Sequence, residues 1–114
     1  MKDGEFINLV KSFMFLTKET EWIEFKINQS DPQEIGEYIS ALSNSAALHQ
    51  EINGYIVWGI ENKTRKIVGT NFKPRIKKIG NEELENWLAT QLFPRIDFQI
   101  HEGVIEGKPI VVFR

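Results

Sequence analysis

The chain has 114 residues, 41% of them hydrophobic and 26% charged, with a formal net charge of −2 and no cysteine. That length buries one core without cross-links, and the missing thiols exclude disulfides and thiolate metal sites. No apolar run is long enough to span a bilayer, and Asp3, Glu5 and Lys11 interrupt any signal-peptide core, so a soluble protein of the cytoplasm is expected, with no membrane partner.

Phe6, Leu9, Val10, Phe13 and Met14 recur at helical spacing and predict an amphipathic helix over residues 5–16, placed to cap a sheet or to meet a partner subunit. "EWIEFKI" follows as a first strand, rich in aromatic and β-branched residues. On its pleat Glu24 and Lys26 share a face with Trp22, while Glu21, Ile23 and Phe25 take the other. A carboxylate within such a strand needs a partner or a ligand.

"SDPQEIGEYISALSNSAAL" carries helix-start signals: Asp31 as N-cap, Pro32 at the first helical position and Glu34 three residues after the cap. Its stripe is Ile35, Ile39, Leu42 and Ala46 with Tyr38 beside it, and Gly36 is expected to permit a close helix-to-strand approach. "GYIVWGI", residues 54–60, reads as a central strand buried on both faces. The charged turn "ENKTRK" should lead to a short strand around Ile67 and Val68, forming a hairpin with that central strand.

Residues 69–78 read as loop, because Pro74 rules out an interior strand. "NEELENWLATQLF" predicts a helix with Asn81 as cap, Glu82 and Glu83 in its first turn, and Leu84, Trp87, Leu88 and Leu92 as its stripe, before Pro94. "RIDFQI" alternates as a strand, and "VIEGKPIVVF" reads as a hairpin turning at Glu106, Gly107 and Lys108. The order predicts a single α+β domain over residues 1–114, a mixed β-sheet with helices packed against it. Ending directly after "IVVF" leaves the last strand without an exit loop, so the chain is expected to be the N-terminal part of a longer protein.

Charge is unevenly spread. Residues 63–78 contain Lys63, Arg65, Lys66, Lys73, Arg75, Lys77 and Lys78 and no acid, which is +7 in one segment and leaves −9 for the rest. Such a run is either a solvated loop and strand edge or a positive surface that contacts phosphates. The acids Glu19, Glu21 and Glu24 cluster at the first strand, with Glu61 and Asn62 after the central one. Glu24 is either paired structurally, with Lys26 at hand, or is one of two or three of these carboxylates, Glu61 a spatial partner, that converge on a hard divalent ion, Mg²⁺ or Mn²⁺, and activate a water.

Other chemistries lack their residues. "GVIEGKP" has neither the spacing nor the hydroxyl of a phosphate loop, His49 and His101 form no zinc motif, and Ser40, Ser43 and Ser45 lie on a helix without a nucleophile elbow.

Taken in order, Glu24, Phe25 and Lys26, then Ser40, Ala41 and Asn44, then Gly54 and Gly59 with Glu61, then Val68 and Gly69, resemble the Schlafen AlbA-type domain. That domain stands at the N-terminus of many bacterial proteins described as transcriptional regulators or ATP-binding proteins, and the match covers most of residues 20–70. The resemblance implies an α+β fold related to Alba chromatin proteins and nucleic-acid binding, to DNA or RNA, as the usual role. Animal relatives include RNA endonucleases that use two glutamates and an aspartate with a divalent ion. The glutamates correspond to Glu19 and Glu24, and the aspartate falls at Glu61 or Asn62. Two departures stand out: the link "NSAALHQEING" is longer than the family's, and the acidic pair is here Glu61 and Asn62, without the aspartate.

The leading expectation is therefore a nucleic-acid-binding regulatory domain, its phosphate contacts made by the seven basic residues of 63–78, with enzymatic activity left open. The alternatives are a divalent-metal ribonuclease using Glu19, Glu24 and Glu61, and a homodimerisation or scaffold module built on the N-terminal helix.

Overall fold

A computed structural model describes residues 2–15, 22–51, 53–80, 82–92 and 96–114. Along the chain these form α1 (Asp3–Met14), β1 (Ile23–Lys26), α2 (Pro32–Leu48), β2 (Tyr55–Trp58), β3 (Lys78–Ile79), β4 (Glu82–Glu83), α3 (Leu84–Gln91), β5 (Ile100–Ile105) and β6 (Lys108–Phe113). The main sheet runs β1-β2-β6-β5. β1 is parallel to β2, and the other pairings are antiparallel. This is the mixed sheet of an α+β domain, as the order of elements predicts.

β2 and β6 lie inside the sheet, which explains why their sequences do not alternate. Residues on both of their faces are buried, with Val57 and Val112 at 0% exposure on one side and Trp58 at 1% and Phe113 at 2% on the other. α1 covers the first face through Phe6, Val10 and Phe13, packed with Ile23, Phe25, Val57, Ile110 and Val112. α2 and α3 cover the second through Ile35, Ile39, Leu42, Leu84 and Leu88, packed with Ile56, Trp58, Val111 and Phe113. Gly103 lets α1 settle on β5, since a Cβ there would lie 2.5 Å from Cε1 of Phe6.

α2 starts where its signals place it: Asp31 is the N-cap, Pro32 follows, and the Asp31 carboxylate accepts from the Glu34 N–H at 3.2 Å. The β5–β6 turn is two residues, Glu106 and Gly107, with φ of 54° and 75°, the left-handed pair that suits the twist of a tight hairpin.

Four local expectations are corrected. The strand around Ile67 and Val68 is only a single bridge, Ile60 to Ile67, because the Val68 and Gly69 N–H groups both turn to the Gly59 carbonyl. Glu82 and Glu83 form β4 instead of a first helical turn. Lys78 stands opposite Glu83 across a minimal hairpin, and the Leu84 N–H donates to the Lys77 carbonyl at 3.0 Å, so α3 begins at Leu84. Asn81 and Pro94 lie outside the described residues. Of the described part of "RIDFQI", residues 96–100, only Ile100 belongs to a named strand, and that strand is the first arm of the following hairpin. Gly36 faces α3 instead of a strand, and a Cβ there would meet Leu88 at an ordinary 3.7 Å.

Candidate nucleic-acid interface

The carboxylate in β1 has a partner. Register pairs Glu24 with Ile56 and Lys26 with Trp58, so both charges stand on the α2 side of an edge strand. The Lys26 ammonium lies 3.3 Å from Glu24 Oε1, with the two side chains 20% and 24% exposed. It donates to the Tyr38 hydroxyl of α2 at 2.8 Å and sits 4.6 Å from that ring's centre. Burial alone lowers the Lys26 pKa, but the Tyr38 hydroxyl and the Glu24 carboxylate outweigh it and hold the group above its ordinary value. Glu24 and Lys26 are thus each other's partners on this face of β1.

Glu61 opens the turn after β2, and its carboxylate is used inside that turn. Oε2 accepts from the Thr64 N–H, and the Glu61 carbonyl accepts from the Arg65 N–H at 2.9 Å. The Thr64 N–H foremost, then the Thr64 hydroxyl and the Lys63 N–H, hold the Glu61 carboxyl below its usual pKa. Asn62 is engaged as well, accepting from Arg65 Nη1 at 3.0 Å. Of the three acids in the metal expectation, then, Glu24 faces Lys26, Glu61 faces Thr64, and Glu19 lies outside the described residues. Among the described residues no three histidine, aspartate or glutamate side chains converge to hold a metal ion.

The basic segment is well anchored. Ile67 is buried in the α1 core and Phe72 in the α2–α3 core, so residues 63–78 cross from one face of the sheet to the other. Phe72 packs against Trp58 with ring centres 4.7 Å apart and against Phe113 at 6.0 Å. Between these anchors the Thr70 hydroxyl donates to the Ile27 carbonyl, the Thr70 N–H to the Pro109 carbonyl at 3.0 Å, and the Asn71 N–H to Asn28 Oδ1 at 2.9 Å.

The seven cations divide. Arg65, in the left-handed region at φ 58°, lays its guanidinium 4.2 Å from the Phe25 ring. Arg75 donates to the Ile100 carbonyl at 2.8 Å and approaches Glu102 at 3.8 Å, and Lys77 donates to Ser30 Oγ at 3.2 Å. Lys63, Lys66, Lys73 and Lys78 are exposed, and among the described residues none of their ammonium groups takes part in a hydrogen bond or ion pair, although the charge of Lys63 also helps to hold the Glu61 pKa down. Sequence reasoning missed the positioning groups, Tyr38 behind Lys26 and Asn28 and Thr70 behind the basic segment. Their partners lie 12 to 43 residues away, beyond any local signal.

The family described as Schlafen, AlbA_2 matches residues 19–114. No curated protein matches the sequence. Among solved structures, the N-terminal domain of a protein described as related to the ATP-dependent DNA helicase RecG, from Nitrosomonas europaea, is similar with a TM-score of 0.57 and 21% identity, covering 98% of this chain and 71% of that one. The DIP2311 protein of Corynebacterium diphtheriae is similar with a TM-score of 0.54 and 18% identity, covering 96% of this chain and 24% of that one. This chain thus spans about a quarter of the length of the Corynebacterium protein. Both likenesses concern the fold. No helix among the described residues is long and apolar enough to cross a membrane.

Proposed function

For a chain that belongs to the Schlafen, AlbA_2 family, we propose a nucleic-acid-binding regulatory domain whose phosphate contacts come from residues 63–78. One observation carries this reading. A segment of charge +7 is pinned to both cores by Ile67 and Phe72 while Lys63, Lys66, Lys73 and Lys78 point their charges into solvent. A pre-ordered loop with unneutralised ammonium groups loses little entropy on meeting a phosphate backbone and gains by releasing condensed counterions. Arg65, Arg75 and Lys77 act mainly by holding the loop and adding to its field. The family, and a structural neighbour whose description names a DNA helicase, support the same class of ligand.

Fluorescence anisotropy with DNA and RNA oligonucleotides at low and moderate salt tests the proposal. Binding that weakens steeply with salt is expected, and no binding at low salt overturns it. The ribonuclease alternative, with Glu19, Glu24 and Glu61 around Mg²⁺ or Mn²⁺, requires Glu24 to leave Lys26 and Glu61 to leave Thr64. An RNA cleavage assay with Mn²⁺ separates the readings: cleavage that Glu24→Ala abolishes supports the ribonuclease, and cleavage it leaves intact removes Glu24 from the chemistry.

A further inference from the structure

The outer strand β5 leaves one edge without a partner strand among the described residues. Gln99 and Arg114 exchange both backbone bonds, at 3.1 and 2.9 Å, and in an antiparallel ladder such pairs alternate with pairs that exchange none. With His101 opposite Val112 and Gly103 opposite Ile110 in the bonded positions, Ile100, Glu102 and Val104 turn their N–H and C=O groups away from β6. Arg75 takes the outward carbonyl of Ile100. Among the described residues no strand lies beyond β5, so the outward groups of Glu102 and Val104 form an open template.

Beside that template runs a groove of about 440 Å³ between residues 72–76 and the β5–β6 hairpin, lined by Phe72, Lys73, Arg75, Ile76, Val104 and Val111 among others. Its rims carry exposed apolar side chains, Ile76 at 71% and Val104 at 62%. The cations Lys73 and Arg75 face one carboxylate, Glu102, which Arg75 meets only at 3.8 Å, with side chains 56% and 37% exposed. Edge strands usually carry a charge, a proline or a bulge against unwanted pairing; of the two outward positions here Glu102 carries a charge and Val104 carries none of these.

We propose that this edge docks an extended segment of a partner protein, added to the sheet beside β5, in which an apolar residue fills the groove between Val104 and Ile76 and an acidic residue two positions away meets Lys73. The spacing follows from the pleat, since residues two apart share a face. The acid follows from the surplus of positive charge along the groove.

The test uses amide NMR of the whole chain titrated with a capped octapeptide in which valine and glutamate alternate on one face and threonine fills the other. Saturable shifts centred on the Glu102 and Val104 amides, with slowed hydrogen exchange at both, are expected. Val104→Pro removes an N–H that β6 does not use, so the fold should persist while binding is lost; Val104→Lys provides a second block. Lys73→Glu should weaken binding by about fivefold, the effect of one partly exposed ion pair. Shifts that avoid β5, or binding untouched by both Val104 variants, overturn the proposal. Protection of the edge without peptide, with sedimentation showing a dimer, replaces the partner by a second copy of this chain, and shifts of the same amides by an oligonucleotide but not by the peptide assign the edge to nucleic acid.

Discussion

Two charged regions of this domain are held in opposite ways. On β1 the charges face inward to one another, with Lys26 bound to Glu24 at 3.3 Å and to the Tyr38 hydroxyl at 2.8 Å. Along residues 63–78 the backbone is fixed by buried Ile67 and Phe72, and four lysines face out. The difference teaches where an anion has something to gain. A phosphate near Lys26 must compete with a carboxylate already in place, whereas among the described residues no hydrogen bond or ion pair holds the ammonium groups of Lys63, Lys66, Lys73 and Lys78.

The largest expected effect comes from loosening the anchored region. Phe72→Ala removes a ring that is 5% exposed from its contacts with Trp58 and Phe113. It should cost about 3–5 kcal/mol in a urea titration. It should also lower nucleic-acid affinity in variants that remain folded, because the lysines are then no longer pre-ordered. A native-like midpoint would mean that Phe72 does not pin the segment.

Breaking the self-satisfied region should matter less. Tyr38→Phe takes the hydroxyl from Lys26 while keeping the ring, and should cost about 1 kcal/mol in the same titration. Glu24→Gln should cost about 1 kcal/mol or less, since the pair is partly exposed. If either change weakened nucleic-acid binding tenfold without altering stability, the inward-facing charges would belong to the interface after all.

The smallest effects are those of pH, and their signs differ. Lys26 is raised in the fold, so its contribution is complete below its ordinary 10.5 and is lost only as pH rises through the higher folded value. His101 is lowered, first by its burial and then by positive charges that include Arg114 and Arg75, so the unfolded chain takes up its proton first and stability declines as pH falls below 6.5. Glu61 is lowered from 4.5, and its contribution disappears as pH falls through the folded value. Urea midpoints should therefore be nearly flat from about pH 7 to 10 and fall on either side. A rise in stability on acidification through 6.5 would contradict the placement of His101.

Legibility in the sequence followed the range of the interactions. Asp31, Pro32 and Glu34 announce α2 because capping acts within one turn, and "YIVW" and "IVVF" announce β2 and β6 because strands covered on both faces need no alternation. The delayed start of α3 was hidden, since the pairing of Lys78 with Glu83 competes with a helical turn that Glu82 and Glu83 also suit. Glu24 could be read from the sequence as paired or ligating; the ion pair it makes with Lys26 is backed by Tyr38 on another element, twelve residues beyond Lys26, which no local pattern connects to it. The basic run was visible as a count of seven; its division into cations that hold the loop and lysines that face out depends on Phe25, Ile100 and Ser30, which no local pattern connects to it.

The most direct test is the salt dependence of oligonucleotide binding, compared among the parent chain, a variant with Lys63, Lys66, Lys73 and Lys78 all changed to alanine, and Glu24→Gln. The parent and Glu24→Gln should give the same slope of log affinity against log salt, and the four-lysine variant a slope shallower by about 3, as expected when four phosphate contacts are lost. Equal slopes for the parent and the four-lysine variant, or a collapse of binding in Glu24→Gln alone, would contradict the assignment of the interface to residues 63–78.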